Sequence, residues 1–237
     1  MSLLTHPHQR SLVTTRPART GLLTTLRPWV GFGLRRWFDI HIEGAHRVPH
    51  QGPALLAVNH LGVLDGPLAV ITAPRPTIAL AKADLFRGVV GTVLTSMGQI
   101  PVDRNTVDVA AIRRCVDVLE RGYALTIFPE GRRAAGDMTQ LMGGITYLAM
   151  VTGAPIVPVT LLGTRLPGQT AKQLPGRGAH IHIEYGQPIT EVPRLAWPRT
   201  RQVVGEWTAE LADRLSAEVR RVELSSGLRL PGEPLPH

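Results

Sequence analysis

Cysteine is nearly absent from this 237-residue chain: Cys115 stands alone, which excludes an internal disulfide framework and a cysteine-built metal cluster. It falls on the apolar side of a helical pattern, the place of a buried structural thiol rather than a nucleophile. Lysine is scarce too, with only Lys82 and Lys172, so the formal charge of +8 rests on arginine. Aromatic residues make up 5% and are not interleaved with arginine as a stacking platform, which argues against a nucleic-acid partner. No acidic residue occurs from Met1 to Phe38, where six arginines stand (Arg10, Arg16, Arg19, Arg27, Arg35 and Arg36). An acid-free start rich in Arg and Thr resembles an organelle transit peptide and lacks the uninterrupted apolar core of a secretory signal. Internal repeats and low-complexity domains are likewise missing.

What is present suits one large core. A chain of this length with 43% hydrophobic residues holds a single α/β domain with appendages more comfortably than two domains. Residues 1–38 read as a mobile arm followed by an amphipathic helix, 39–224 as the domain, and 225–237 as a flexible tail. In the helix, Leu22, Leu23, Leu26, Trp29, Val30, Phe32, Leu34, Trp37 and Phe38 form a broad apolar surface, opposite a stripe of Thr24, Arg27, Gly31 and Arg35. The segment is too short and too charged to span a bilayer. It fits either a helix lying in a lipid interface or one packed on the domain, with Pro28 near its start or at a kink.

Apolar strand-like runs then alternate with helical patterns: Ile40–Gly44, Ala54–Val58, Thr77–Ala81, Ala124–Phe128, Pro155–Leu162 and Ala179–Tyr185 against helices near Leu85–Met97, Val109–Leu119, Ile145–Val151 and Arg199–Glu223. This alternation predicts an α/β fold with a mostly parallel central sheet flanked by helices. Asn105 or Thr106 is the expected cap of the helix that Gly122 ends. His180 and His182 share a face of the last strand, but with no carboxylate or third histidine at matching spacing no metal site is expected.

The chemistry is expected where polar blocks follow strands, because an open parallel sheet gathers those blocks at one end. The first is Asn59-His60 with Asp65 at the break of the Ala54–Val58 run. Residues five apart diverge on a helix. A strand–turn–helix, with Asp65 as a plausible N-cap, instead lets the carboxylate come back to the imidazole, fix its tautomer and stabilise the imidazolium. The others are Asp103-Arg104 and Glu130-Gly131-Arg132-Arg133. Together they make a base beside a cationic pocket, in which an arginine pair next to a glycine suits a phosphate. Glu130 serves equally as a salt-bridge partner of Arg133 or Arg104.

Four ordered blocks over roughly residues 40–190 make the chain resemble the glycerolipid acyltransferase family that includes bacterial 1-acyl-glycerol-3-phosphate acyltransferases. They are Asn-His-x4-Asp (Asn59, His60, Asp65), Gly-x-Ile-x-Val-x-Arg (Gly98, Ile100, Val102, Arg104), a Phe-Pro-Glu-Gly block (Phe128 to Ala134) and a Val-Pro-Val-type strand (Ile156 to Val159). The resemblance implies O-acyl transfer from acyl-CoA or acyl carrier protein to a lysophospholipid, with lysophosphatidate as the first expectation. By that resemblance His60 is the general base, Asp65 orients it, Asn59 belongs to the substrate-binding set, and Arg104, Glu130, Gly131 and Arg133 form the phosphate-side pocket. It implies no cofactor or metal beyond the thioester donor, and a peripheral or monotopic place on the cytoplasmic side of a phospholipid membrane. No Gly-x-Ser-x-Gly elbow occurs, which favours direct transfer over an acyl-enzyme.

The sequence departs from the family in two places. Arg132 and Ala134 stand where Thr and Ser are usual, and Leu141-Met142-Gly143-Gly144 stands where Phe-Lys-x-Gly is common. The lost lysine removes a phosphate contact for which Arg132 offers a substitute charge. The acceptor is therefore open to a glycolipid, aminolipid or other lipid alcohol. A basic membrane-binding protein that has lost catalysis is the alternative from another class, and the intact His60 and Asp65 argue against it.

Overall fold

The computed structural model describes residues 21–103, 108–194 and 200–236, with side chains from residue 24. Seven strands form one sheet: β1 (Asp39–Glu43), β2 (Ala54–Val58), β3 (Thr77–Lys82), β4 (Ile100–Val102), β5 (Ala124–Ile127), β6 (Ile156–Leu162) and β7 (His180–Tyr185). Their order is β1-β7-β6-β2-β5-β3-β4, and every neighbouring pair is parallel except β6 with β7. The expected mostly parallel α/β sheet is thus the observed one. Among the described residues six α-helices accompany it: α1 (Gly21–Trp37), α2 (Asp65–Ile71), α3 (Gly88–Ser96), α4 (Val109–Glu120), α5 (Gly144–Thr152) and α6 (Arg201–Ser226).

Parallel strands buried on both faces read as unbroken apolar runs, and β2 shows how one run serves two cores. Leu55 and Ala57 point into a cluster with Cys115 and Leu119 of α4, Leu148 of α5 and Leu211, Leu215 and Val219 of α6. Leu56 and Val58 point the other way, toward Leu68 of α2, Phe38, and Ile181, Ile183 and Tyr185 of β7. Each Leu, Ile, Val or Phe among them contributes about 1.5–3 kcal/mol on burial. Cys115 sits in the first cluster, and burial pushes its thiol up to about 12.

The structure corrects several local expectations. The cap of α4 is Asp108, whose Oδ1 accepts the Ala111 N–H at 2.8 Å, while Asn105 and Thr106 lie outside the described residues. Strand β7, whose sequence alternates polar and apolar residues, is buried on both faces from Ile181 onward: Ile181, Ile183 and Tyr185 join the second cluster, and on the other face Glu184 is bonded by Arg221 of α6. The segment after α6, read as a flexible tail, lies on the domain: Leu230 N–H bonds Glu223 at 2.7 Å, and Leu235 N–H bonds the Gln169 carbonyl at 3.2 Å. The mobile arm expected up to Thr20 lies outside the described residues.

Helix α1 reverses the usual order of an amphipathic surface helix. Its Arg27–Gly31–Leu34 stripe faces the protein: Arg27 donates to the carbonyls of Ile71 and Ala73, and Leu34 packs beside Val70 and Ile71. Gly31 is buried against Ile71, where a Cβ would stand in van der Waals contact at 3.5 Å. The apolar surface consequently faces outward, with Trp29 76%, Phe32 69% and Trp37 55% exposed.

Candidate active site

Strands β2, β5, β3 and β4 run parallel, so their carboxyl ends and the polar blocks after them lie at one end of the sheet. The carboxyl end of β6, parallel to β2, lies there too. His60 leaves β2 into a tight turn that closes on Asp65, the first residue of α2. Asp65 does not cap its own helix, as its sequence position suggested. Its Oδ2 turns back and accepts three donors: His60 Nδ1 at 2.9 Å, Leu61 N–H at 2.6 Å and Gly62 N–H at 2.7 Å. Oδ2 accepts two backbone N–H groups, and the tautomer that fits this oxygen carries the ring proton on Nδ1 and leaves Nε2 as the acceptor nitrogen. Asp65 is fully buried and His60 5% exposed, which strengthens their electrostatic coupling. Phe128 stacks on the imidazole with ring centroids 4.2 Å apart.

Glu130 comes from the turn after β5 and meets the same loop from the other side. Its Oε2 accepts the His60 backbone N–H at 2.7 Å and its Oε1 the Met138 N–H at 3.3 Å. Arg133 is not its partner, and Arg104 lies outside the described residues. Burial raises its carboxyl to about 7, against the lowering effect of the hydrogen bonds from His60 and Met138. Met138 holds a left-handed φ of 60°, a conformation costly outside glycine and concentrated at functional loops. Gly131 also has positive φ, and a Cβ there would fall 2.3 Å from the Met142 sulfur.

The remaining predicted residues divide. Arg133 is half-buried, and its Nε makes no hydrogen bond among the described residues, leaving a donor for an anion. Arg132 is exposed beside it. Arg104 lies outside the described residues. Asn59 is fully buried and has no reach to a ligand: its Oδ1 accepts Leu161 N–H at 2.7 Å, and its Nδ2 donates to Leu161 and Gly136 carbonyls at 3.0 and 3.2 Å. It extends the β2–β6 pairing by one side chain and so fastens the loop on which His60 sits.

Arg165, just past the end of β6, was not singled out by the sequence. It is 1% exposed, and its guanidinium donates to Leu61 O at 2.9 Å, Ala134 O at 2.9 Å and Gly232 O. One side chain thereby joins the His60 turn, the Glu130 loop and the C-terminal segment. The available sequence signal was an arginine three residues past the buried strand β6, at the end of the sheet where the His60 turn lies.

Fold and site together define an α/β protein whose centre is a buried histidine–aspartate pair at strand ends, backed by a glutamate loop and a free arginine donor. The chain belongs to the acyltransferase family: the family model "Acyltransferase" matches residues 39–162, just over half of its length. Among curated relatives, a 1-acyl-sn-glycerol-3-phosphate acyltransferase of Borreliella burgdorferi is 33% identical over 66% of this chain and 64% of its own. A chloroplastic one, LPAT1 of Arabidopsis thaliana, is 28% identical over 57% of this chain, which spans only 39% of that longer protein. The fold resembles the crystal structure of the lysophosphatidate acyltransferase PlsC from Thermotoga maritima, with a TM-score of 0.61 at 18% identity, over 84% of this chain and 80% of that one.

Proposed function

We propose that this protein transfers a fatty acyl group from an acyl thioester to the free hydroxyl of a lysophospholipid, with lysophosphatidate as the leading acceptor. The observation that carries the reading is the 2.9 Å bond from His60 Nδ1 to the buried, triply bonded Asp65 carboxylate. In this reading His60 Nε2 takes the acceptor's hydroxyl proton as the oxygen attacks the thioester carbonyl. The C–S bond breaks, and the thiolate leaves with the proton that His60 returns. The imidazolium is stabilised by Asp65 and by the face of Phe128. Arg133 Nε and the exposed Arg132 supply charge for the acceptor's phosphate. Acyl-CoA and acyl carrier protein are equally suited as donors.

The outward apolar surface of α1 supports binding to a phospholipid surface, with the thioester arriving from the cytoplasmic side. No helix among the described residues is long and apolar enough to cross a membrane, which fits peripheral or monotopic attachment. Exposed Val89, Val90 and Val93 on α3 add a second apolar surface.

A second acceptor reading rests on Met142. Its thioether lies against Gly131, so the residue standing in place of the common lysine brings no charge to that side of the pocket. A lipid alcohol with less anionic charge than lysophosphatidate follows from this. Mass spectrometry of products from acyl-CoA and a panel of lysolipids and lipid alcohols, with His60→Ala alongside, separates the two. Phosphatidate formed by the native protein and lost in the variant supports the first. Acylation of a different acceptor supports the second, and near-normal turnover by His60→Ala overturns the mechanism.

A further inference from the structure

His180 and His182 take no part in this chemistry, and the partners their strand lacked in the sequence stand across the sheet on β1. In-register pairing sets Asp39 beside His180, His41 beside His182 and Glu43 beside Glu184. Side chains two apart on a strand share a face, so the six form a ladder of imidazoles and carboxylates on the side of the sheet that α6 covers.

The rungs are not equivalent. Asp39 and His180 pair with each other at 2.8 Å. Glu184 Oε1 is engaged by Arg221 and Arg47. Between them, the His41 and His182 rings stack with centroids 5.3 Å apart. One ligand atom from each of His41, Glu43 and His182 lies within 4.8 Å of the others. His182 is 4% exposed, and its Nε2 makes no hydrogen bond among the described residues; the nearest carboxylate oxygen, Glu184 Oε2, is 3.5 Å away. A buried imidazole nitrogen without a partner is unfavourable and calls for a ligand.

We propose that His41, Glu43 and His182 bind a divalent transition-metal ion, of which Zn²⁺ is the best match. Two imidazoles and a carboxylate are a zinc donor set, whereas Mg²⁺ and Ca²⁺ take oxygen. In a tetrahedral site with bonds of about 2.0 Å, ligand atoms stand about 3.3 Å apart. His41 and Glu43, whose side chains are 53% and 52% exposed, have the freedom to close that gap. The exposed side of the edge strand leaves the fourth position to water.

The site is remote from the reaction. Strand β1 lies three places from β2 and, through the antiparallel β6–β7 pair, runs opposite to it. The metal ties this singly paired edge strand, and α1 immediately before it, to β7.

The test uses tag-free full chain, stripped with chelator, titrated with ZnCl₂ in a calorimeter with MgCl₂ as control, and with Co²⁺ read by its visible absorption. Expected are one zinc per chain, no response to magnesium, a four-coordinate Co²⁺ spectrum and a higher Tm with zinc. Loss of an outer partner of a metal ligand costs about 10–100-fold in affinity, so His41→Ala and Glu43→Gln, both at exposed positions, should each weaken binding by at least that much. His60→Ala should bind zinc as the native chain does. Absence of zinc binding, unaltered binding in His41→Ala and Glu43→Gln, or loss of binding in His60→Ala would overturn the proposal.

Discussion

The Glu130 carboxylate accepts the backbone N–H of His60 at 2.7 Å, joining the turn after β5 to the end of β2 across 70 residues of chain. Burial raises this carboxyl to about 7, with the bonds from His60 and Met138 opposing the rise and Asp137 and Asp65 adding to it. In the unfolded chain Glu130 titrates near 4.5. Between these values the folded state binds more protons than the unfolded, so this group's contribution to stability is present below about 4.5 and is lost as pH rises toward about 7. The loss amounts to roughly 3 kcal/mol. Denaturant midpoints from pH 4 to pH 8 should therefore fall for the native chain relative to Glu130→Gln, which cannot titrate. A constant difference across that range would contradict the raised value.

Asp65→Asn keeps the size of the side chain but removes the charge that receives His60 Nδ1, Leu61 N–H and Gly62 N–H. Turnover should fall about 10²–10⁴-fold, the scale of a general base, with secondary structure retained by circular dichroism. A variant with native kcat would remove Asp65 from the mechanism.

Arg165→Met takes the donors away from Leu61 O and Ala134 O. Leaving buried carbonyls unpaired should cost roughly 3 kcal/mol or more. Arg165→Lys retains the charge but cannot span three carbonyls with a planar fork, so it should fold with a lowered Tm and a reduced kcat. An unchanged Tm in Arg165→Lys would show that the three segments hold together without it.

Trp29 and Phe32 extend outward from α1, 76% and 69% exposed. Replacing both with Asp should leave the Tm within a few degrees of native and markedly reduce sedimentation with anionic phospholipid vesicles, because an interfacial helix binds through its apolar area. Undiminished vesicle binding would move the contact to another surface, with α3 the first to try.

Cys115, buried between α4 and the sheet, has its thiol pushed up to about 12. It should resist iodoacetamide at neutral pH in the folded protein and react promptly in denaturant. Rapid labelling of the native chain would show that the α4 side of the core opens.

The sequence by itself determined the order of elements apart from the three-residue β4, whose short run gives no strand pattern, together with the two-faced apolar strands and the His60–Asp65 turn. These depend on local pattern: an unbroken Ala54–Val58 run must be buried, and a helix beginning at Asp65 forces the chain to double back. The extended register of β1 and β7 left both strands legible but said nothing of their pairing, so His182 had no visible partner in one dimension. Tertiary structure alone decided which surface of α1 faces out, because Arg27 finds carbonyl acceptors at the end of α2 and Leu34 packs beside Val70 and Ile71. It also decided that Glu130 serves the His60 backbone rather than an arginine among the described residues, that Asn59 fastens a loop, and that Arg165 is buried. Each rests on hydrogen-bonding groups far apart in the chain, brought together by strand order, which no local periodicity encodes.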